Sequence, residues 1–299
     1  MKPTLLILAA GMASRYGSMK QIDGFGPNGE TIIDYSIYDA IKAGFGKVVF
    51  IIKEEFIDNF KSIFEPKLNG RIETDYVFQN FDLKQFGIDE EIYREKPWGT
   101  AHAILSGRKV VKEPFCVINA DDFYGYDSFR KMVEFLTEEA TDSNYSIVGY
   151  KIGKTLSDFG SVSRGVCKTN DGDFLEEITE RTQVYKKDET IIYEENGVEY
   201  PLDFETPVSM NFWGFTPAVF NLTEEMFREF ALANKDKPKA EFFIPLIGET
   251  LLHNDTATFK VIPTDSQWFG VTYKEDKPFV QASIDQLVKD GSYPEKLWN

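Results

Sequence analysis

Short apolar runs alternate with segments of helical periodicity through the first 150 residues. The apolar runs, which have the length and composition of buried strands, are 4–9, 47–53, 74–79, 114–119 and 145–150. The segments predicted as helices are 30–43, 54–64, 99–111 and 127–140. In the first of these, Ile33, Ile37 and Ile41 share one face, and Gly44 is a typical helix stop. The alternation predicts a mostly parallel, doubly wound, Rossmann-like α/β sheet.

The second half has shorter strand-like segments and more turn signals. Strands are predicted at 161–168, 183–194, 209–216 and 260–263, and helices at 217–232, 241–253 and 276–290. Asn170-Asp171-Gly172 and Asn196-Gly197 are typical of tight turns between antiparallel strands. No linker or repeat separates the halves, so 1–299 is predicted as one mixed α/β domain. Its antiparallel part is expected to cover the open end of the parallel sheet.

Composition favours a folded, soluble protein. The chain has 299 residues, of which 42% are hydrophobic and 15% aromatic, and no apolar run reaches about 18 residues. No segment resembles a signal peptide. The two cysteines, Cys116 and Cys167, lack a CxxC spacing. A cytoplasmic protein with reduced thiols is therefore expected.

The formal net charge of −16 argues against nucleic acid and anionic membranes as partners, because both are held by basic surfaces. A small phosphorylated substrate remains compatible with this charge. The protein would then need local positive charge from a few Arg and Lys side chains, from helix N-termini or from a bound divalent cation. The sequence leaves a homo-oligomer open.

The loop after the first predicted strand carries the first chemical signal, in the segment TLLILAAGMASRYGSMKQ (4–21). A glycine turn at the carboxyl end of a parallel strand directs backbone N–H groups toward a ligand, typically a phosphate. The segment is not a P-loop, because the distance from Gly11 to Gly17 is one residue too long. It is not a dinucleotide fingerprint either, since Ala13 and Tyr16 stand where glycines are required.

The A-A-G-x-x-x-R-x(n)-K pattern of this loop resembles that of the sugar-1-phosphate nucleotidylyltransferases, also called NDP-sugar pyrophosphorylases. Further segments match this family in its order: KPWGTAHAIL (96–105), VINADDFYG (117–125), FGSVSRGV (159–166), EEITER (176–181) and MNFWGF (210–215). The resemblance implies a GT-A-like Rossmann fold. It also implies that an NTP and a sugar 1-phosphate are converted to an NDP-sugar and pyrophosphate, in nucleotide-sugar biosynthesis.

The resemblance implies a nucleotide-binding half, 1–150, and a sugar-binding half with the C-terminal helices, 151–299, and it assigns roles on the nucleotide side of the cleft. It implies that Arg15 and Lys20 hold the triphosphate and stabilise the leaving pyrophosphate, and that Asp121 binds Mg²⁺, with Asp122 in support. The nucleotide-binding residues that it implies are Ala10, Gly11, Gln79, Gly99 and Thr100. Of these, Gln79 would contact the edge of the base. An ordinary helix start capped by Thr100 is compatible with this role, and His102 is assigned to helix packing.

The acceptor side carries a weaker match. The resemblance implies that the sugar-binding residues of an antiparallel sugar-side subdomain are Gly160, Glu180, Arg181 and Asn211. Many members have Glu-Lys-Pro where this chain has Glu-Arg-Thr, so Arg181 either replaces the lysine or points elsewhere. Many also have a metal-binding Asp two residues after a late tryptophan, where this chain has Gly270 after Trp268. A second carboxylate would then come from Asp265, Asp276 or another residue.

Two other functions stay open at this point. One is the same transfer to a different phosphorylated acceptor, such as an amino-alcohol phosphate. The other is a non-catalytic protein that binds a nucleotide or a nucleotide sugar. The co-occurrence of Arg15, Lys20 and Asp121 favours an enzyme, because a binding protein has no leaving pyrophosphate to stabilise.

Overall fold

The computed structural model describes residues 1–11, 24–79, 82–270 and 274–298. The strands are β1 (Thr4–Leu8), β2 (Lys47–Ile52), β3 (Glu73–Phe78), β4 (Phe115–Asn119), β5 (Asp122–Phe123), β6 (Asn144–Lys151), β7 (Val162–Thr169), β8 (Leu175–Lys187), β9 (Thr190–Glu195), β10 (Val198–Leu202), β11 (Pro207–Phe215), β12 (Thr258–Pro263) and β13 (Phe269–Gly270). The α-helices are α1 (Ile32–Ala43), α2 (Ile57–Leu68), α3 (Thr100–Leu105), α4 (Tyr126–Glu138), α5 (Val219–Ala233), α6 (Ile244–His253) and α7 (Lys277–Lys289). Short 3₁₀ turns occupy Glu54–Phe56, Leu83–Phe86, Ser106–Lys109, Ile152–Lys154 and Lys274–Asp276.

Eleven of the thirteen described strands form one sheet in the order β10-β9-β8-β7-β11-β4-β1-β2-β3, in which β6 also pairs with β11 and β12 pairs with β6. Strands β4, β1, β2 and β3 are parallel to one another. Strands β7 to β10 pair in antiparallel fashion, and β5 and β13 form a small separate ribbon. The mixed α/β fold predicted from the sequence is confirmed. The division into two functional halves stays a prediction.

Helices cover both faces of the parallel part, which explains why its strands are continuously apolar. Successive residues of β1 point to opposite faces, so Leu5 and Ile7 belong to one buried core and Leu6 to the other. Helices α1, α2 and α4 pack on the first core, and α3, α5 and α6 pack on the second. The carboxyl ends of the parallel strands lie together at one edge of the sheet, between these layers, where α/β proteins bind their ligands.

Strand β11 joins the two parts of the sheet, which corrects the expectation that the antiparallel part covers its open end. The carboxyl half of β11 pairs with β4 through Trp213, and its amino half pairs with β7 through Val208 and Ser209. A bulge between Ser209 and Trp213 separates these pairings. Because a bulge interrupts local pairing, β11 pairs with β7 before it and with β4 after it, and the antiparallel strands extend the sheet beyond β4.

Two predicted elements end earlier than their patterns indicated. Helix α3 stops at Leu105 and continues as a 3₁₀ turn, rather than running through 99–111. The predicted strand 183–194 contains a turn, where β8 ends and Asp188 has φ +53°. Aspartate tolerates this left-handed conformation better than most residues, although the sequence there lacks the glycine that usually signals it.

Candidate active site

Residues assigned to the nucleotide lie at the carboxyl ends of neighbouring parallel strands. Ala10 follows β1, Gln79 follows β3 and Asp121 follows β4. The register places Leu8 of β1 opposite Asn119 of β4, so these three segments leave the sheet at the same edge. The described part of the first loop ends at Gly11. Arg15 and Lys20 lie outside the described residues.

The structure brings Gln79 and Gly99 together. The Gln79 backbone N–H extends the sheet by donating to Ile52 O at 3.0 Å. Its side-chain Nε2 donates to Gly99 O at 3.3 Å and lies 3.3 Å from His102 Nδ1. The Gln79 amide is therefore held against the start of α3.

Close backbone packing explains why residue 99 is a glycine. Gly99 has φ +101° and ψ −178°, and a Cβ atom built on it would lie 2.5 Å from Phe242 O. Thr100 does not cap its own helix, whose N-cap is Gly99. Its hydroxyl instead accepts the Ile244 N–H at 3.2 Å, at the start of α6. The expectation that Thr100 caps its own helix was wrong, because its hydroxyl satisfies an N–H at the start of another helix.

His102 packs inside the protein, which confirms the assignment made from the sequence. His102 is 1% exposed, and the centroid of its ring lies 4.6 Å from that of Phe227 and 5.7 Å from that of Phe86. Burial, together with the charges of Arg108 and Arg94, lowers the pKa of His102 to about 3. The imidazole is therefore neutral at physiological pH.

Asp121 and Asp122 follow β4, and hydrogen bonds fix the second carboxylate. Asp122 Oδ2 accepts a hydrogen bond from Asn119 Nδ2 at 2.9 Å and lies 3.2 Å from the Tyr124 hydroxyl. Burial and the neighbouring charge of Asp121 raise the pKa of Asp122 to about 7. Asn119 and Tyr124 were not singled out from the sequence, although both belong to the VINADDFYG segment.

Gly270 lies directly against this carboxylate pair. It is opposite Asp122 in the β5–β13 ribbon, and a Cβ atom on Gly270 would lie 2.5 Å from Asp122 Oδ1. Residue 270 has no room for an aspartate while Asp122 holds this position. Asp265 forms an ion pair with Lys151 at 3.7 Å. Position 270 therefore carries no carboxylate of its own, and the nearest one among the described residues is that of Asp122.

The donor set suits magnesium more than a transition metal. Asp121 and Asp122 offer carboxylate oxygens, which Mg²⁺ prefers, and an ion of this kind keeps water and substrate phosphates in its coordination shell. Among the described residues, no three His, Cys, Asp or Glu side chains converge on a common point. A site with one or two protein ligands fits an ion that is held jointly with a nucleotide.

Asn211 lies in the β11 bulge and connects the acceptor side to the carboxylates. It has φ +65°, a conformation that asparagine adopts more readily than most residues. Its Nδ2 donates to Asn119 Oδ1 at 3.1 Å, and Asn119 in turn donates to Asp122. The Tyr124 hydroxyl lies 3.0 Å from Met210 O. A continuous hydrogen-bonded chain thus runs from the bulge to the end of β4.

The other acceptor-side candidates are more scattered. Glu180 lies on β8 opposite Gly165. The next residue, Arg181, points to the other face of the strand, where its Nη1 lies 2.7 Å from Glu195 Oε1 and its guanidinium covers the Tyr193 ring at 4.3 Å. Gly160 forms an isolated antiparallel bridge just before β7. The structure therefore places Asn211 beside the carboxylates and pairs Arg181 with a neighbouring strand.

Arg164 is a buried cation on the acceptor side that the sequence did not single out. It is 6% exposed, donates to Thr155 O at 3.1 Å and to Ser163 O at 2.7 Å, and lies 4.8 Å from the centroid of the Trp268 ring. Burial lowers the pKa of Arg164 to about 10, and the charge of Asp122 opposes this shift. The sequence feature that could have identified Arg164 is its position inside the strand-like segment FGSVSRGV.

Several solved structures share the fold of this chain at low sequence identity. The inositol-1-phosphate CTP transferase from T. maritima superposes with a TM-score of 0.61 at 13% identity, covering 95% of this chain and 97% of that one. A UDP-glucose pyrophosphorylase complexed with UDP-glucose gives 0.58 at 15% identity, covering 96% and 99%. HddC from Yersinia pseudotuberculosis gives 0.55 at 16% identity, covering 94% and 99%. These similarities establish a shared fold.

A search of curated protein sequences finds no significant match. Within the described ranges, none of the helices combines the length and apolar character needed to cross a membrane. The model of the nucleotidyl transferase family matches residues 6–271, which include most of β1, the Asp121–Asp122 pair and the β11 bulge. The chain therefore belongs to the nucleotidyl transferase family and is an enzyme of that type.

Proposed function

We propose that this enzyme transfers a nucleotidyl group from an NTP to a sugar 1-phosphate and releases an NDP-sugar and pyrophosphate. One observation carries the proposal: Asp122, at the end of β4, is hydrogen-bonded through Asn119 to Asn211 in the β11 bulge. This series of hydrogen bonds links the base-side part of the sheet to the antiparallel strands. It supports a cleft in which nucleotide and acceptor meet beside Asp121.

The reaction needs alignment and charge neutralisation rather than a covalent enzyme intermediate. A phosphate oxygen of the acceptor attacks the α-phosphorus of the NTP, and the bond from that phosphorus to the bridging oxygen of the pyrophosphate breaks. Mg²⁺, when bound, neutralises charge on the phosphates and stabilises the leaving group. Asp121 would hold the ion, while Asn119 and Tyr124 keep Asp122 beside it. The roles of Arg15 and Lys20 toward the triphosphate remain part of this proposal.

On the base side, we assign nucleotide contacts to Ala10, Gly11, Gln79, Gly99 and Thr100. On the acceptor side, Gly160, Glu180 and Asn211 are assigned to the sugar. Arg181 reaches the sugar phosphate only if its guanidinium leaves Glu195, since the two are already paired at 2.7 Å. We place the reaction in the cytoplasm, as part of nucleotide-sugar biosynthesis.

The names of the similar structures support a phosphorylated polyol as acceptor, since one acts on inositol 1-phosphate and another contains UDP-glucose. Their identity to this chain is too low to select the sugar. An amino-alcohol phosphate is the alternative acceptor, and a non-catalytic nucleotide-sugar binding protein is the alternative outside the enzymes.

Pyrophosphate release from each of the common NTPs tests this proposal, with glucose 1-phosphate, inositol 1-phosphate and phosphocholine as acceptors. We expect release that requires Mg²⁺ and a sugar or polyol phosphate. Asp121→Asn should abolish it while leaving the circular dichroism spectrum unchanged, and Asp122→Asn should do less. Turnover with phosphocholine alone would select the alternative acceptor. Nucleotide binding without pyrophosphate release from any pair would contradict the proposal.

A further inference from the structure

We propose that His102 fixes the orientation of the Gln79 side-chain amide, so that Gln79 presents its oxygen, a hydrogen-bond acceptor, to the nucleotide base. This inference rests on the proposed function, because it takes Gln79 as a base-contacting residue. It makes His102 a positioning residue that acts on base preference without touching the substrate.

The Gly99 carbonyl is the first constraint on the amide. A carbonyl oxygen can only accept hydrogen bonds, and Gly99 O lies 3.3 Å from Gln79 Nε2. If the amide were rotated by 180°, its Oε1 would take the place of Nε2, and two acceptors would face each other at this distance. The NH₂ group must therefore point toward Gly99.

His102 is the second constraint and uses the other N–H of the same NH₂ group. Its Nδ1 lies 3.3 Å from Gln79 Nε2, and two donors cannot share a hydrogen bond. Nδ1 must therefore carry the lone pair, which leaves the ring proton on Nε2. The packing between Phe86 and Phe227 and the charges of Arg108 and Arg94 keep the ring neutral, as this arrangement requires.

Both N–H groups of Gln79 are thus committed to the protein. Among the described residues, Gln79 Oε1 has no hydrogen-bond partner, and the side chain is half-buried. The group that this oxygen can recognise is an N–H donor, such as the imide N–H of uracil or thymine or an exocyclic amino group. A base that presents only acceptors at this position leaves Oε1 unpaired and is disfavoured.

The test compares three substitutions in the full-length enzyme. His102→Leu removes the acceptor, whereas His102→Asn retains one, because Asn Oδ1 can occupy the place of Nδ1. Phe86→Leu is the matched control, since it alters the packing of the same ring without removing the acceptor. Calorimetric affinity for each NTP is measured first, followed by kcat/KM for each NTP at saturating acceptor.

We expect His102→Leu to reduce the discrimination between the best and the worst NTP by about 2- to 10-fold, the effect of losing one hydrogen bond. His102→Asn should restore at least half of that discrimination on a logarithmic scale, and Phe86→Leu should preserve it. The KM for the acceptor should change less than twofold in all three variants. If His102→Leu does not fold, His102→Gln, whose acceptor lies one carbon further from the backbone, replaces it in the comparison with His102→Asn.

Unchanged NTP discrimination in His102→Leu would overturn the inference, and so would an equal loss in Phe86→Leu or in His102→Asn. Gln79→Ala separates this result from a failure of the proposed function. If Gln79→Ala alters NTP affinities but His102→Leu does not, only the positioning role is refuted. The affinities are measured without turnover, so they test the positioning role even if the enzyme releases no pyrophosphate. A lack of pyrophosphate release would contradict the proposed function alone.

Discussion

Gly99→Ala is expected to be one of the most damaging single-methyl changes near the candidate site. Gly99 has φ +101° and ψ −178°, a region of backbone conformation that is almost restricted to glycine. The new Cβ would lie 2.5 Å from Phe242 O, 2.7 Å from Phe242 N and 2.9 Å from Phe242 C. All three are backbone atoms, so no side-chain rotation can relieve the contact.

The magnitude follows from two separate costs. Holding alanine in this conformation costs about 1–3 kcal/mol, and inserting a methyl group into a packed contact costs about 1–3 kcal/mol more. The smaller entropy of the unfolded alanine chain offsets about 0.4–1 kcal/mol. We therefore expect the free energy of unfolding to fall by about 1–5 kcal/mol.

Gly44→Ala provides the matched control. Gly44 also has a positive φ, +111°, at the end of α1, but a Cβ atom there would meet no described atom within 4 Å. This variant should carry the conformational cost alone, about 1–2 kcal/mol. Urea unfolding of both variants, with equal m-values as a check of two-state behaviour, measures the difference. If Gly99→Ala costs no more than Gly44→Ala, the close packing of Gly99 against Phe242 is refuted.

Three further predictions concern buried charges and the carboxylate pair. Burial raises the pKa of Asp39 from 3.8 to about 7, so the native state retains a proton that the unfolded chain releases, and stability falls as pH rises across this interval. Asp39→Asn should reduce the fall in the free energy of unfolding between pH 4.5 and 7.5, as measured by urea unfolding. An unchanged pH dependence would contradict the burial of this carboxyl. Gly270→Ala should displace Asp122 and weaken Mn²⁺ binding, measured by electron paramagnetic resonance in the presence of NTP, whereas unaltered binding would separate Gly270 from the metal site. Arg164→Met should lower the free energy of unfolding by about 2–5 kcal/mol, because at least two carbonyl acceptors lose their donor; a loss below about 1 kcal/mol would mean that water replaces the guanidinium.

The parts of this molecule that could be predicted from the sequence depend on local patterns. Apolar runs and helical spacing located the parallel strands, and the stop at Gly44 is where the sequence indicated it, because each signal lies within one element. The segment containing Asp121 and Asp122 was also visible, since its position follows from the end of a strand. Residues that act inside one element or at its end can therefore be found without a structure.

Contacts that depend on the register of distant strands could not be predicted. The hydrogen bond from Asn211 to Asn119 requires the bulge that ends the β11–β4 pairing, and no residue pattern sets its position. The pairing of Arg181 with Glu195 depends on how β8 meets β9 after a turn that the sequence does not mark with glycine. Thr100 has the sequence of a helix cap, yet its hydroxyl serves a helix more than 140 residues away in the chain.

The fate of the α-phosphorus of the nucleotide shows whether the enzyme transfers a nucleotidyl group to a sugar 1-phosphate. NTP labelled at the α-phosphate would be incubated with Mg²⁺ and the best sugar 1-phosphate, and the products separated. We expect the label to appear in an NDP-sugar in a one-to-one ratio with released pyrophosphate, only when acceptor is present, and not with Asp121→Asn. Label that stays in unreacted NTP, or that appears as NMP regardless of the acceptor, would contradict nucleotidyl transfer to a sugar 1-phosphate.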